Sequence, residues 1–233
     1  MGDWHSTARF PGESASYREA RDELLEAERE LRKHVELVAQ LRRALPLGGA
    51  VPEDYTFAEG ARDLADNSSV FPVKLSELFR NRMDTLAIYS FMYGPEMKQA
   101  CPMCTSFLDS LNGTAPHAGQ RLNLAVVAKS PIGRVREFAL GRGWHNLRVI
   151  SSAGNTYNRD YHGESESGGQ VPVFTIFVRR DGEIRHFYST ELVYAPSELG
   201  QNQRHIDMMW PLWNLLDLTP EGRGANWFPR LSY

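Results

Sequence analysis

At 233 residues with 42% apolar side chains, the chain is long enough to bury a core of its own, which excludes a small scaffold held together only by staples. Its 26 basic and 29 acidic residues give a net charge of -3, leaving no basic field of the kind that non-specific nucleic-acid binding needs, so nucleic acid is not an expected partner. No stretch nears the roughly 18 apolar residues of a bilayer span, and residues 1–11 hold no apolar run of secretory length, so the expectation is a cytoplasmic protein with no membrane partner.

Residues 1–13, with Pro11, Gly12 and few large apolar side chains, read as a flexible arm. From Ser14 to Leu45 the sequence is charged and free of proline, with Ala20, Leu24, Ala27, Leu31, Val35, Val38, Leu41 and Leu45 at steps of three and four, which predicts an amphipathic helix. Pro46, Gly48 and Gly49 stop it, and residues 14–50 form a helical extension. Its apolar stripe has two possible partners, the rest of the chain or a second subunit in a homodimer, although Glu28 and Arg42 interrupt a strict coiled-coil heptad.

A segment with Pro52 and Asp54 leads into Tyr55-Thr56-Phe57, and residues 76–79 read as a short helical or turn segment after Val73-Lys74-Leu75. Thr85–Phe91 reads as a buried strand that ends at Gly94-Pro95. Pro102 then suits the first position of a helix, which runs on to a stop at Asn112-Gly113. Leu122–Ala128 is the next buried strand, and Pro131–Arg142 the next helix, closing at Gly141 and Gly143. The alternation strand, helix, strand, helix implies a parallel pair joined by a right-handed crossover.

Residues 148–150 form a short strand, followed by a polar loop with Asn155, Asn158, Asp160, His162 and Ser167-Gly168-Gly169. Val173–Arg179 and Ile184–Ser189 flank Arg180-Asp181-Gly182-Glu183, where Asp-Gly predicts a hairpin, so this part of the sheet is antiparallel. Residues 198–218 look helical, with a fresh start at Pro211, and Trp227 and Phe228 allow the last residues to dock on the body. The chain therefore divides into the arm, the extension, an α/β domain at 51–195, and a C-terminal helical extension and tail at 196–233.

The two cysteines of the chain stand three apart, in Cys101-Pro102-Met103-Cys104, at the junction of the strand and the helix. Two random positions would fall at that separation about once in a hundred draws, so the spacing carries information. At a helix start, the open N–H groups and the dipole favour a thiolate on the first cysteine, and the second lies within disulfide reach. Cys101 is accordingly the candidate nucleophile and Cys104 the resolving thiol. Lys98 adds positive charge nearby and Glu96 opposes it. Thr85–Phe91 has no carboxylate in its interior, so an acid acting on Cys104 must come from elsewhere or be absent.

A zinc site would need a second ligand pair, and histidines 117, 145, 162, 186 and 205 lack such spacing, so no metal or organic cofactor is required. A peroxiredoxin would carry a threonine three residues before the nucleophile, where this chain has Lys98.

Phe91-Met92-Tyr93-Gly94-Pro95, the Cys-Pro-Met-Cys run, Gly143-Trp144, Ser151-Ser152, Tyr188-Ser189-Thr190 and residues 214–220 (NLLDLTP) together resemble a bacterial thioredoxin-like family, known as a domain of unknown function and described as dithiol-disulfide oxidoreductases. The resemblance covers about residues 17–230. It implies a thioredoxin-like three-layer core at 51–195 and a redox role for Cys101 and Cys104 alone, and it names no substrate. This chain departs from the family around the site, reading Glu96-Met97-Lys98-Gln99-Ala100 before the first cysteine and turning Gly- and Ser-rich after Tyr161-His162.

In that fold Val171-Pro172, just before the hairpin, occupies the place of a cis-proline facing the dithiol. Candidate substrate contacts are thus Pro102 and Met103 between the cysteines, Val171 and Pro172, Trp144 as core or lid, and Tyr161 and His162 on the loop entering that strand. His162 also titrates in a range suited to proton transfer.

The expected function is thiol-disulfide exchange with a protein or low-molecular-weight thiol or disulfide. Two other classes stay open: a cysteine enzyme acting on a small molecule or peroxide on the same scaffold, and a dimeric, non-enzymatic interaction protein whose dithiol is a redox switch.

Overall fold

The structure is a computed structural model that describes residues 9–80, 82–193, 195–196, 207–224 and 227–233. The chain forms two compact units, 1–46 and 47–233. The first is dominated by helix α1 (Ala15–Arg43), close to the predicted span. Ser14 starts it by accepting the Tyr17 N–H on its Oγ at 3.1 Å, and Arg42 and Arg43 stand in the last turn, where positive charge is favoured. Leu24, Leu31, Val38 and Leu41 of the predicted stripe are all exposed.

The second unit runs β1 (Thr56–Gly60), β2 (Val70–Lys74), a 3-10 turn (Leu75–Leu78), β3 (Thr85–Phe91), α2 (Pro102–Ala118), β4 (Asn123–Ala128), α3 (Ile132–Arg142), β5 (Val149–Ser151), α4 (Tyr157–Asp160), β6 (Val173–Arg180), β7 (Glu183–Ser189) and α5 (Pro211–Leu216). The seven strands form one sheet in the order β2-β1-β5-β4-β3-β6-β7. Neighbours are parallel for β3/β4 and β4/β5 and antiparallel elsewhere. The inner order β4-β3-β6-β7, with α2 connecting the parallel pair, is the expected thioredoxin-like core.

Alternation along β3 and β4 divides the core into two faces. Ala87, Tyr89, Phe91, Val126 and Ala128 join Phe107 and Leu108 of α2, Val135 and Ala139 of α3, and Trp210 and Trp213. Leu86, Ile88, Ala125 and Val127 join Tyr55, Phe57, Leu75, Leu78 and Tyr157 on the other side. Trp210 and Trp213, in the predicted C-terminal extension, belong to the first cluster. The predicted helical residues 198–206 lie outside the described residues.

Two short-range predictions hold for a local reason. Asp181 and Gly182 both have positive φ (53° and 82°), as a tight hairpin turn requires, and Gly143 ends α3 at φ 71°. One other needs correction. Helix α2 does not stop at Asn112-Gly113 but continues to Ala118 with Pro116 inside it. Pro116 has no N–H to give the Asn112 carbonyl, and the Asn146 side-chain amide donates to that carbonyl instead at 3.2 Å.

The β1/β2 hairpin was not foreseen. Its edge strand β2 contains Pro72, and Glu59 in β1 is buried by a two-pronged pair with Arg148 at 2.7 Å for each bond. Both features break the sequence signature of a strand.

Candidate dithiol site

Strands β3, β4 and β5 end at one edge of the sheet, where β6 begins: Ser90 pairs with Val173, Phe91 with Ala128, and Ala128 with Ser151. The chain leaves β3 through residues 92–100 and enters α2 at Cys101, the N-cap residue, with Pro102 at the first helical position. The Met92 peptide is the pivot of this joint. Its carbonyl accepts the Cys101 N–H at 3.1 Å, and its N–H favours charge on the Cys104 sulfur.

Cys101 is partly exposed and Cys104 is 3% exposed, both as free thiols. The two are perturbed in opposite directions. Cys101 is lowered from 9.0 to about 6, first because the Cys104 thiol donates to it, against the cost of burial, and further because the N–H groups of Cys104 and Met103 at the open helix end lie against its sulfur. Burial pushes Cys104 well above the ordinary thiol range, and a thiolate at Cys101 raises it further. Neither Lys98 nor Glu96, the charges foreseen from sequence, is among the groups that perturb Cys101.

The side of Cys104 away from Cys101 meets Tyr89 of β3. The two residues share the first core cluster, the Tyr89 hydroxyl favours charge on the Cys104 sulfur, and its ring lies against Phe107 and Phe174 with centroids 4.9 and 5.8 Å away. The strand thus offers a phenol, and no carboxylate, to the resolving thiol.

Residues 94–98 are held from α3. Arg134 donates to the carbonyls of Gly94, Pro95 and Lys98 at 3.1–3.3 Å and to that of Met97, and its guanidinium sits 4.3 Å from the Tyr93 ring centroid. Ser130 adds a bond from Oγ to the Gly94 carbonyl at 3.0 Å. Arg134→Leu strips several charged-donor bonds from this loop at once. The expected result is a loss of about 2–3 kcal/mol in urea unfolding, with faster protease cleavage at 94–100.

Of the remaining predicted contacts, Met103 is half-buried against the first cluster, and Val171 and Pro172 are half-buried where β6 begins, at the same sheet edge as Cys101. The Val171–Pro172 bond is trans, since no cis peptide occurs among the described residues, which corrects the cis-proline expectation. Pro172 precedes β6 and trans is the ordinary isomer, so nothing in the strand geometry demands the rarer one.

His162 is exposed, with φ 58°, and lines an open cleft of about 910 Å³ with Arg159, Glu164 and Val171. The loops meet at Gly94, where a Cβ would come within 2.9 Å of the Gln170 side chain. Two candidates fall away from the site. Trp144 is 1% exposed, packs on Phe91 and Phe138, and gives its indole N–H to Asp109 at 2.8 Å, so it is a core residue. Tyr161 packs on Tyr55, Tyr157 and Phe177 in the second cluster, across the sheet from the dithiol. Tyr89 and Arg134 were missed by sequence reasoning, because an aromatic within an apolar strand and an arginine on a helix carry no signal of their own.

A family model described as "Bacterial protein of unknown function (DUF899)" matches residues 7–233. No curated protein matches the chain. Similar solved structures include a peroxidoxin, BcpB, from Mycobacterium tuberculosis (15% identity, 72% of this chain and 95% of that chain, TM-score 0.44). Thioredoxin peroxidase I from Plasmodium yoelii is another (15%, 79% and 100%, TM-score 0.46), as is the exposed lipoprotein thioredoxin Etrx1 from Streptococcus pneumoniae (13%, 67% and 98%, TM-score 0.39).

Proposed function

The chain belongs to the bacterial DUF899 family, and from that premise we propose that it is a thiol-disulfide oxidoreductase in which Cys101 attacks and Cys104 resolves. One observation carries the reading: a partly exposed Cys101, lowered to about 6, beside a buried Cys104 that remains a thiol. At neutral pH the first sulfur is a nucleophile and the second is held in reserve.

Cys101 attacks a disulfide of a protein or low-molecular-weight substrate lying beside Pro102, Met103 and Val171-Pro172. Cys104 then displaces the substrate thiol and closes the internal disulfide, which another thiol system reopens. A reducing cytoplasm is the compartment that fits such a cycle. No helix among the described residues is long and apolar enough to cross a membrane.

The test is thiol titration across redox buffers with mass spectrometry, followed by insulin or glutathione-disulfide reduction, with a peroxide arm run in parallel. A reversible loss of two hydrogens at Cys101 and Cys104 with disulfide turnover supports exchange. Failure to form that bond at any poise defeats it.

Helix α1 also fits a homodimer. Residues 15–29 carry three basic and five acidic side chains, whereas residues 30–43 carry four basic and two acidic, so antiparallel pairing of two copies sets a net acidic half against a net basic one along the apolar stripe. Leu31→Glu places charge in the middle of that stripe. Sedimentation equilibrium should then show a dimer for the native chain and a monomer for the variant; equal masses would refute the pairing.

A further inference from the structure

Closing the internal disulfide poses a problem that the resting site does not. In the reduced protein the Cys104 thiol donates to the Cys101 thiolate. Once Cys101 is tied to a substrate sulfur, that negative acceptor is gone, and Cys104 must lose its proton inside the core, where burial opposes the charge. Two donors favour charge on its sulfur: the Met92 N–H and the hydroxyl of Tyr89, which is buried in the same core cluster as Cys104.

Tyr89 is suited to remain a donor. It is 1% exposed, it lies on the same side of β3 as Phe91, and its ring is held between Phe107, one turn along α2 from Cys104, and Phe174. Burial, followed by Cys104 itself, raises it well above the ordinary phenol range, so it keeps its proton at every working pH. The titratable groups that act on Cys104 are Cys101 and Tyr89.

We propose that Tyr89 is the positioning residue of the resolving step, its hydroxyl joining the Met92 N–H to hold Cys104 as the incoming thiolate. The inference rests on the exchange reading and deepens it. In the step, the Cys104 proton passes to solvent water and the Cys104 sulfur attacks the Cys101 sulfur. The Cys101–Cys104 bond forms, the bond from Cys101 to the substrate sulfur breaks, and the electron pair leaves on the substrate thiolate, which takes up a proton from water. Over both steps two thiols lose two electrons and one substrate disulfide gains them. Tyr89 is not consumed. It lowers the cost of charge at Cys104 because its dipole is already in place.

The test uses the full chain and 5,5′-dithiobis(2-nitrobenzoate) in stopped flow. The first equivalent of thionitrobenzoate reports attack by Cys101, and the second reports closure by Cys104. Tyr89→Phe keeps the ring and removes the donor. The expected result is an unchanged first phase and a second phase slowed about tenfold, as loss of one charge-assisted hydrogen bond predicts. A merely structural role would not divide the phases in this way.

A second phase within twofold of the native rate overturns the proposal. If circular dichroism shows that the phenylalanine variant does not fold, 3-fluorotyrosine at position 89 supplies a more acidic donor; it should speed the second phase, and an unchanged rate again refutes the role. A native protein that releases only one equivalent, as Cys104→Ser should, defeats the exchange reading itself, a result distinct from failure of Tyr89 alone.

Discussion

Cys104→Ser is expected to turn the protein into a trap: incubated with a disulfide substrate, it should accumulate a mixed disulfide at Cys101 that the native chain clears. Mass spectrometry reads the adduct directly, and its identity names the partner. Cys101→Ser should give the opposite result, with turnover falling by about a thousandfold or more, because the remaining sulfur is buried and stays protonated. The two substitutions together distinguish attacker from resolver. A Cys101→Ser chain that kept native exchange activity, or a Cys104→Ser chain that formed no adduct, would reverse or remove these assignments.

The second large effect concerns how Cys101 becomes a thiolate. Its lowering to about 6 has the Cys104 side-chain donor as its first cause, ahead of the backbone N–H groups of the helix end. The thiolate therefore forms as pH rises through about 6, and the rate of iodoacetamide alkylation should climb through that point in the native protein. Cys104→Ala deletes the donor, so the midpoint should move upward toward the ordinary thiol value of 9.0. At pH 7 this costs roughly tenfold or more in alkylation rate. Cys104→Ser retains a hydroxyl donor and should shift the midpoint less. If alanine and serine variants titrate alike and near 6, the helix end alone supports the thiolate and the sulfur-to-sulfur hydrogen bond does not.

The parts of this molecule that sequence made legible are those governed by local periodicity. The cysteine spacing, the buried runs at Thr85–Phe91 and Asn123–Ala128, the charged helix before Pro46 and the Asp181-Gly182 hairpin each follow from a period or a turn residue. What sequence concealed depends on partners distant in the chain. Helix α2 survives past Gly113 because Asn146 supplies the donor that Pro116 lacks. Glu59 can sit in a strand because Arg148 comes to meet it.

The same applies to the site. Tyr161 and His162 are adjacent in sequence, yet Tyr161 faces the core cluster opposite the dithiol, whereas His162 opens onto a cleft shared with Val171. Trp144, taken as a possible lid, is fixed in the interior by Asp109. Tyr89 reads as one more apolar residue in TLAIYSF until α2 is laid across the strand and brings Cys104 into the same core cluster.

In the proposed exchange cycle, the opposed perturbation of the two sulfurs would also set the proton stoichiometry of the couple. Between about pH 6 and the raised value of Cys104, the reduced pair carries one thiolate and one thiol, so opening the disulfide takes up two electrons but only one proton. The midpoint potential of such a couple falls by about 30 mV per pH unit, half the slope of an unperturbed dithiol that binds a proton at each sulfur. Across the neutral range the driving force of that cycle would therefore be less sensitive to acidity than that of the ordinary thiol pools with which it would exchange electrons.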